Sequence, residues 1–270
     1  MNDAPNPSPA RAYHDYLGPA MFEPWGHILL DLAQPRTGET VLDLACGTGI
    51  VTRQLSGRMG AGEVMGIDIN EDMLAIAREQ PMTDGAGIEY RSGDACALDI
   101  DSNEVDLVVC QQGFQFFPDR DAAAVQMRRV LREDGRVAIA VWTALEDQPV
   151  FRALFEAEAR YLGIEVADLA VPFSLGDEAD LRRHFAEAGF SHIKTSIHDR
   201  ETRLPDPERF FELAIAAGAA VIPELAELSP DELAKLVASI RGEISDEINQ
   251  YLDSDSIRFP MRSRLLLAQP

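Results

Sequence analysis

Acids stand at the ends of successive apolar runs in the first half of this chain, and the first of those runs leads into a glycine turn. Val41-Leu42-Asp43-Leu44-Ala45-Cys46-Gly47-Thr48-Gly49-Ile50 reads as buried strand, tight turn and helix start, the helix continuing over Val51 to Leu55. Gly47 and Gly49 permit positive φ and carry no Cβ, so main-chain groups there can come within contact distance of a bound molecule. Val64-Met65-Gly66-Ile67-Asp68 is a second apolar run ending in an acid, placed where a nucleotide-type ligand lying across strand ends presents its ribose. Asn70 then caps a helix with Glu71 and Asp72 in its first turn. A third segment, Ile88 to Ala95, ends in Gly93-Asp94-Ala95. A fourth, Val105 to Cys110, runs into Gln111-Gln112-Gly113-Phe114-Gln115-Phe116-Phe117-Pro118-Asp119.

Positioning such a ladder of acids calls for parallel strands with helical crossovers. A helix over Arg120 to Glu133, a turn at Asp134-Gly135 and a fifth strand from Arg136 to Trp142 complete an alternation of strands and helices, which gives a parallel sheet covered on both faces. Ahead of it, Ala10 to Leu17 and Phe22 to Ala33 read as two helices, and Met1 to Pro9 as a disordered, proline-rich start. Behind it, Val150, Phe151, Leu154, Phe155, Tyr161 and Leu162 form an apolar helical face, followed by helix Asp177 to Ala188 and strand Phe190 to Asp199. Asp206-Pro207 starts a further helix. Ser229-Pro230-Asp231-Glu232 is a capping box opening another, whose Leu233, Leu236, Val237, Ile240, Ile244, Ile248 and Leu252 recur at helical spacing. Arg262 to Ala268 reads as a closing strand.

These motifs, in this order, resemble the class I S-adenosylmethionine-dependent methyltransferases, in particular the quinone-biosynthesis-like, type 11 small-molecule group. The match is carried by Asp43-x-Ala45-Cys46-Gly47-Thr48-Gly49, Gly66-Ile67-Asp68, Gly93-Asp94-Ala95, the Gln111 to Asp119 stretch and Arg128-Arg129-Val130-Leu131 before Gly135, strongest over residues 38 to 143. The resemblance implies a Rossmann-like, seven-stranded, mostly parallel α/β sheet with helices on both faces. With it go a helical N-terminal cover over residues 1–34, a cofactor-binding core over 35–200 and a closing strand over 258–270, and the apolar stripe of the helix after Ser229, which must be buried against something, makes 201–257 the expected helical lid. The resemblance also implies S-adenosyl-L-methionine as methyl donor. Asp43 would orient the donor's amine, with Ala45, Cys46, Gly47, Thr48 and Gly49 supplying the surrounding turn. Asp68 would accept from the ribose hydroxyls, Ile69 would pack on the adenine, Met73 would be a further cofactor contact, and Asp94 with Ala95 would meet the adenine's polar edge. Cys110 with Gln111 would pass under the methionine moiety, Phe116 would be a further cofactor contact, and Phe114, Gln115, Phe116, Phe117 and Trp142 would surround the acceptor. From the N-terminal cover, Tyr13, Tyr16 or Trp25 would lie near the methionine end, and His14 reads as a solvated helix residue.

Charge and composition narrow the partners. The formal net charge is −22 and the only lysines are Lys194 and Lys235, so no basic face stands ready to neutralise nucleic acid phosphates. No apolar run is long enough to span a membrane, which makes the cytoplasm the expected compartment. A homodimer is compatible with the sequence. Cys46, Cys96 and Cys110 lack metal-ligand spacing, and no metal is expected; Cys46 and Cys110 read as small apolar filler. A nicotinamide-dependent oxidoreductase would share the sheet, the glycine turn and the acid after the second strand. Against it, Thr52 stands where the last glycine of Gly-x-Gly-x-x-Gly would be, and Asp43 has no role in that fingerprint. A non-catalytic S-adenosylmethionine-binding protein is the other alternative. The expected acceptor is a small, flat or apolar molecule methylated on oxygen, nitrogen or carbon, with no identified catalytic side chain.

Overall fold

The computed structural model describes residues 8–81 and 84–270; the disorder expected for the first nine residues falls almost wholly outside them. In chain order the elements are α1 (Pro9–Ala12), a π-helical stretch Tyr13–Phe22, α2 (Glu23–Ala33), β1 (Thr40–Leu44), α3 (Ile50–Met59), β2 (Glu63–Asp68), α4 (Glu71–Glu79) and β3 (Gly87–Ser92). They continue with β4 (Val105–Gln111), α5 (Arg120–Val130), β5 (Leu131–Trp142), α6 (Pro149–Leu162), α7 (Val166–Leu169), α8 (Glu178–Glu187) and β6 (Ser191–Pro205). The last are α9 (Phe210–Gly218), α10 (Pro223–Ala226), α11 (Pro230–Asn249) and β7 (Ser256–Gln269).

The chain divides into two compact units, one of residues 23–144, 172–199 and 262–270, the other of residues 1–22, 145–171 and 200–261. The first is built on the seven-stranded sheet, in the order β3-β2-β1-β4-β5-β7-β6. The pairs β1–β2, β2–β3, β1–β4 and β4–β5 are parallel and β5–β7 is antiparallel. Apolar side chains cover both faces, as the near-continuous apolar strands require. Leu42, Val108, Cys110, Met127, Val137 and Phe185 belong to one core cluster, and Leu29, Val41, Leu55, Val64, Val109 and Leu265 to the other. Because β1 connects outward to β2 and β4 lies on its other side, the strand order reverses between β1 and β4. Loops diverge there and leave a crevice outside the carboxyl ends of the strands.

Two boundaries differ from expectation in this unit. The helix expected to reach Glu133 stops at Val130, and Leu131 already pairs with Val105 while Arg136 pairs with Leu107. Residues 132–135 are therefore taken up as an irregularity within β5 rather than as a helix end and turn. Arg132 is held by Asp106 at 2.5 Å, and Arg136 by Glu39 at 2.8 Å and by the carbonyls of Ala33 and Gln34, so the flanking arginines pin the stretch to β4 and to the connection between α2 and β1.

In the helical unit the first expected helix is a short α1 followed by a π-helical stretch that contains Pro19, a residue that cannot donate to the usual ladder, while the second expected helix, α2, belongs to the sheet unit. The capping box at Ser229 and Glu232 forms as expected. Below it the stripe on α11 narrows to Leu236, Ile240, Ile244 and Ile248, one residue per turn facing α6, while Leu252 is exposed. The apolar face of α6 is also rotated from expectation: Tyr161 is exposed and Glu158 is fully buried beside Leu154 and Phe155. Strands β6 and β7 run longer than expected. Thr202 and Leu204 alternate into the interior on one and Ile257, Phe259 and Met261 on the other, and Arg203 bonds Ser256 and Asp255 across the pair. His198, Asp199, Arg200, Glu201 and Arg203 hide that alternation in the sequence.

Candidate active site

At the end of β1 the chain turns through Ala45 in the left-handed region, φ 56°, then through Gly47 and Gly49 at φ 53° and 74°. A non-glycine residue held there stores on the order of 1–3 kcal/mol of strain, which persists only where surrounding bonds over-determine it. Those bonds are present: the Cys46 amide donates to Ile67 O at 3.0 Å, the Gly49 amide to Cys46 O at 2.9 Å, and the Gly47 amide to Asp68 Oδ2 at 2.7 Å. Asp68 Oδ1 accepts from the Asn70 amide at 2.8 Å, and Asn70 in turn caps α4 through the amides of Asp72 and Met73. Asp68 thus fixes the glycine turn against the start of α4. Burial raises its carboxyl above the usual carboxylate range, opposed by the amides of Asn70, Gly47 and Ile69.

The two glycines of the turn have different surroundings. A Cβ built on Gly47 meets nothing within 4 Å, so this face of the loop is open to a ligand. A Cβ on Gly49 would lie 2.3 Å from the Tyr90 hydroxyl, and one on Gly66 would lie 2.8 Å from the Tyr90 ring and 3.0 Å from Thr52 Oγ1. Gly49 therefore makes room for Tyr90, a side chain of β3 distant from it in sequence.

Asp43 is buried and accepts from Thr52 Oγ1 at 2.6 Å. Burial pushes its carboxyl up to about 7, the Thr52 hydroxyl opposing the push and the Asp68 charge adding to it. Thr52, which breaks the dinucleotide fingerprint, here holds the acid that fingerprint lacks. Thr48 is buried, and its carbonyl accepts from Arg53 at 2.9 Å. Beside Asp68, Ile69 is 74% exposed, a large apolar side chain set in solvent at the rim of the turn, while Met73 behind it is buried. After β3 the Gly93 amide donates to Asp68 O at 3.0 Å, Asp94 Oδ1 accepts from the Cys96 amide at 2.8 Å, and Ala95 is buried.

Cys46 and Cys110 are buried thiols, both raised in pKa chiefly by burial, so neither is poised as a thiolate nucleophile. After β4, Gln111 is half-buried and Gln112 is left-handed at φ 53°, its amide bonded to Ala140 O at 2.8 Å. Phe114 is fully buried, with its ring 5.1 Å from Phe185 and edge-on to His184 and Phe117. It is packed as a core residue. Gln115 is buried and Phe116 half-buried. Trp142, at the end of β5, stands edge-on to Trp25 of α2 with ring centroids 5.5 Å apart.

The structure thus brings Ala45 to Gly49, Asp68, Ile69 and Gly93 to Ala95 to one edge of the sheet, with Gln111 to Phe116 across the β1–β4 reversal and Trp142 one strand further. Tyr13, His14 and Tyr16 belong to the helical unit. Thr52, Tyr90, Gln112 and Ser263 are the residues whose parts in this site went unassigned from the sequence. Among the described residues no group of three or more His, Cys, Asp or Glu could hold a metal ion, and no helix is long and apolar enough to cross a membrane.

The fit to a nucleoside-bearing ligand rests on the open face at Gly47, a carboxylate with acceptor capacity left after its backbone bonds, and the exposed Ile69 beside it. Fold and loops together define a doubly wound α/β protein with its crevice at the switch point. A methyltransferase-domain family model matches residues 41–135. Nocamycin O-methyltransferase of Saccharothrix syringae is 29% identical over 240 residues, covering 84% of this chain and 85% of that protein. The ubiquinone/menaquinone biosynthesis C-methyltransferase UbiE of Escherichia coli O1:K1 / APEC is 31% identical over 183 residues, covering 65% of this chain and 70% of that protein. Among solved structures, the phosphoethanolamine N-methyltransferase 2 of Haemonchus contortus superposes with a TM-score of 0.58 at 20% identity, over 96% of this chain and 56% of that one, a likeness of fold. The chain belongs to the class I S-adenosylmethionine-dependent methyltransferases of the type 11 group, with S-adenosyl-L-methionine as its methyl donor.

Proposed function

We propose that this chain methylates a small-molecule acceptor by direct in-line transfer, holding S-adenosylmethionine across the carboxyl ends of β1, β2, β3 and β4. The observation that carries the reading is the Asp68 carboxylate, fixed by the Gly47 and Asn70 amides and flanked by the exposed Ile69 and the open face of Gly47. In such a site the donor supplies a methyl on a sulfonium, with a neutral thioether as leaving group. The protein's part is then to align the acceptor and keep water out. Asp68 accepts from the ribose hydroxyls, Ile69 and Met73 pack by the adenine, and Asp94 with Ala95 meets its polar edge. Asp43, through its bond to Thr52, orients the amine end, and Cys110, Gln111 and Phe116 lie under the methionine chain. Phe114 supports the acceptor space from the core, and Gln115 and Trp142 line it.

The segment 201–257 serves as cover and seat of acceptor specificity, residues 1–34 as a second cover, and 35–200 with 258–270 as the cofactor-binding core. The acidic composition supports a protein without nucleic acid partners, and a cytoplasmic monomer or homodimer fits the whole. The relatives include an O- and a C-methyltransferase, and transfer to oxygen, carbon or nitrogen is within this chemistry. The test incubates the protein with methyl-labelled S-adenosylmethionine and a panel of phenols, quinols, indoles and enolic metabolites, read by mass spectrometry, with hydrogen exchange measured with and without S-adenosylhomocysteine. Expected are a labelled product from at least one class and slowed exchange over residues 204–256. Binding of the donor without transfer to any class would favour a non-catalytic binding protein, and exchange unchanged over 204–256 would remove the cover.

A further inference from the structure

A buried hydrogen-bond relay runs from β5 to the loop after β4, and its polarity is forced from one end. Ser263 Oγ lies 2.8 Å from the carbonyl of Val141, which can only accept, so the serine spends its one proton there. Its oxygen is left to accept from Gln112 Nε2 at 3.1 Å, which turns Gln112 Oε1 toward Gln115. Gln115 meets that oxygen with its Nε2 in a long contact of 3.5 Å; the flipped amide would set two carbonyl oxygens against each other. Every link is therefore directional, and the far end of the relay is Gln115 Oε1. That atom is buried without a hydrogen-bond partner, in a side chain only 1% exposed. A buried amide oxygen without a partner is costly, and Gln112 is kept at φ 53° in the course of building the relay. Further along the same contacts, Trp142 faces Ser263 across the β5–β7 register and stands edge-on to Trp25, whose indole Nε1 is likewise buried without a partner.

We infer that Gln115 Oε1 is the recognition point for the methyl acceptor, and that the acceptor is a hydroxyl-bearing molecule of the phenol or enol class that donates its O–H to this oxygen. This rests on the methyltransferase reading of the crevice and names the acceptor chemistry within it. Gln115 Oε1 can only accept, so the group that meets it must carry a donor hydrogen, and a hydroxyl is a small neutral function that supplies one and is itself a methyl acceptor. An ether or an unsubstituted hydrocarbon would leave the amide oxygen without a partner.

The test uses phenol and anisole, which differ in the ability to donate, titrated into the protein bound to S-adenosylhomocysteine. Binding is followed by the two tryptophan indole N–H resonances in nitrogen-15 correlation spectra. Phenol is expected to bind about tenfold tighter than anisole, as one hydrogen bond to an otherwise unsatisfied buried acceptor implies. Gln115→Leu should abolish that preference, and Ser263→Ala, which lets the relay lose its direction, should reduce it to about threefold. Both variants should bind S-adenosylhomocysteine within about twofold of the parent by calorimetry. Equal binding of the two probes, no phenol binding, or a preference that survives Gln115→Leu overturns the proposal. So does loss of S-adenosylhomocysteine binding in Gln115→Leu, which would make the residue structural. If the parent itself fails to bind S-adenosylhomocysteine, the functional reading falls, and the phenol-to-anisole preference measured without it still decides whether Gln115 selects a donor.

Discussion

Gly49→Ala is expected to lower the unfolding free energy by about 2–4 kcal/mol, the sum of left-handed backbone strain and displacement of a packed ring. Gly47→Ala should cost only about 1–2 kcal/mol of stability, from the backbone alone, and should weaken S-adenosylmethionine binding by about tenfold or more. The difference follows from what each Cβ would meet: the Tyr90 hydroxyl at 2.3 Å for Gly49, nothing within 4 Å for Gly47. Urea unfolding and calorimetric titration of the two variants separate the effects. Adding Tyr90→Phe to Gly49→Ala should recover part of the lost stability, because it removes the nearest atom while ring carbons remain at 2.8 and 2.9 Å. Equal stability losses in the two single variants, or no recovery in the double, would contradict this account.

Glu158→Leu is expected to stabilise the protein, and increasingly so as pH rises. Glu158 lies on the inner face of α6 with no exposed surface and with neither carboxyl oxygen hydrogen-bonded, and burial alone pushes its pKa up to about 8. An acid whose folded pKa lies above its unfolded value binds a proton more tightly when folded. Its contribution is fully present below the unfolded pKa and is lost as pH climbs from near 4.5 through about 8. Replacing the unpaired carboxyl by an apolar side chain of similar volume should add about 1–2 kcal/mol at pH 5 and on the order of a few kcal/mol more at pH 9. Melting temperatures of parent and variant across that range should diverge as pH increases. A constant gap, or a variant less stable at pH 9, would show that Glu158 has a partner when folded.

The strand ends and their acids could be read in the sequence because both signals are local. Asp43, Asp68 and Asp94 each close or follow an apolar run, and the glycines follow the first at once. The parallel sheet came with that pattern and the class of ligand with the family resemblance, whereas the strand order was seen only in the fold. What escaped was set by residues distant in sequence. Nothing around Gly49 announces that Tyr90 of β3 will occupy the space its missing Cβ leaves. Ser263 lies 151 residues from the glutamine it fixes. Glu158, between Ala157 and Ala159 and near Glu156, reads as one more surface charge until α6 is seen to turn it inward. Phe114 reads as an aromatic beside the acceptor, whereas Phe185 and His184 of α8 fix it in the core, a contact that depends on how the second half of the chain returns to the sheet. The extended arms of β6 and β7 were concealed for the opposite reason: their charged outward faces outweigh in composition the short inward alternation at Thr202, Leu204, Ile257, Phe259 and Met261.

Whether the crevice at the ends of β1 and β2 holds S-adenosylmethionine through Asp68 is decided by a calorimetric titration of the parent and of Asp68→Ala with S-adenosylmethionine and with NAD. The parent should bind S-adenosylmethionine and its demethylated product and show no comparable affinity for NAD. Loss of a carboxylate bonded to the ribose hydroxyls should weaken binding by about ten- to a hundredfold, roughly 1.5–3 kcal/mol. Tight binding of NAD with none of S-adenosylmethionine, or S-adenosylmethionine affinity unchanged in Asp68→Ala, would contradict that assignment.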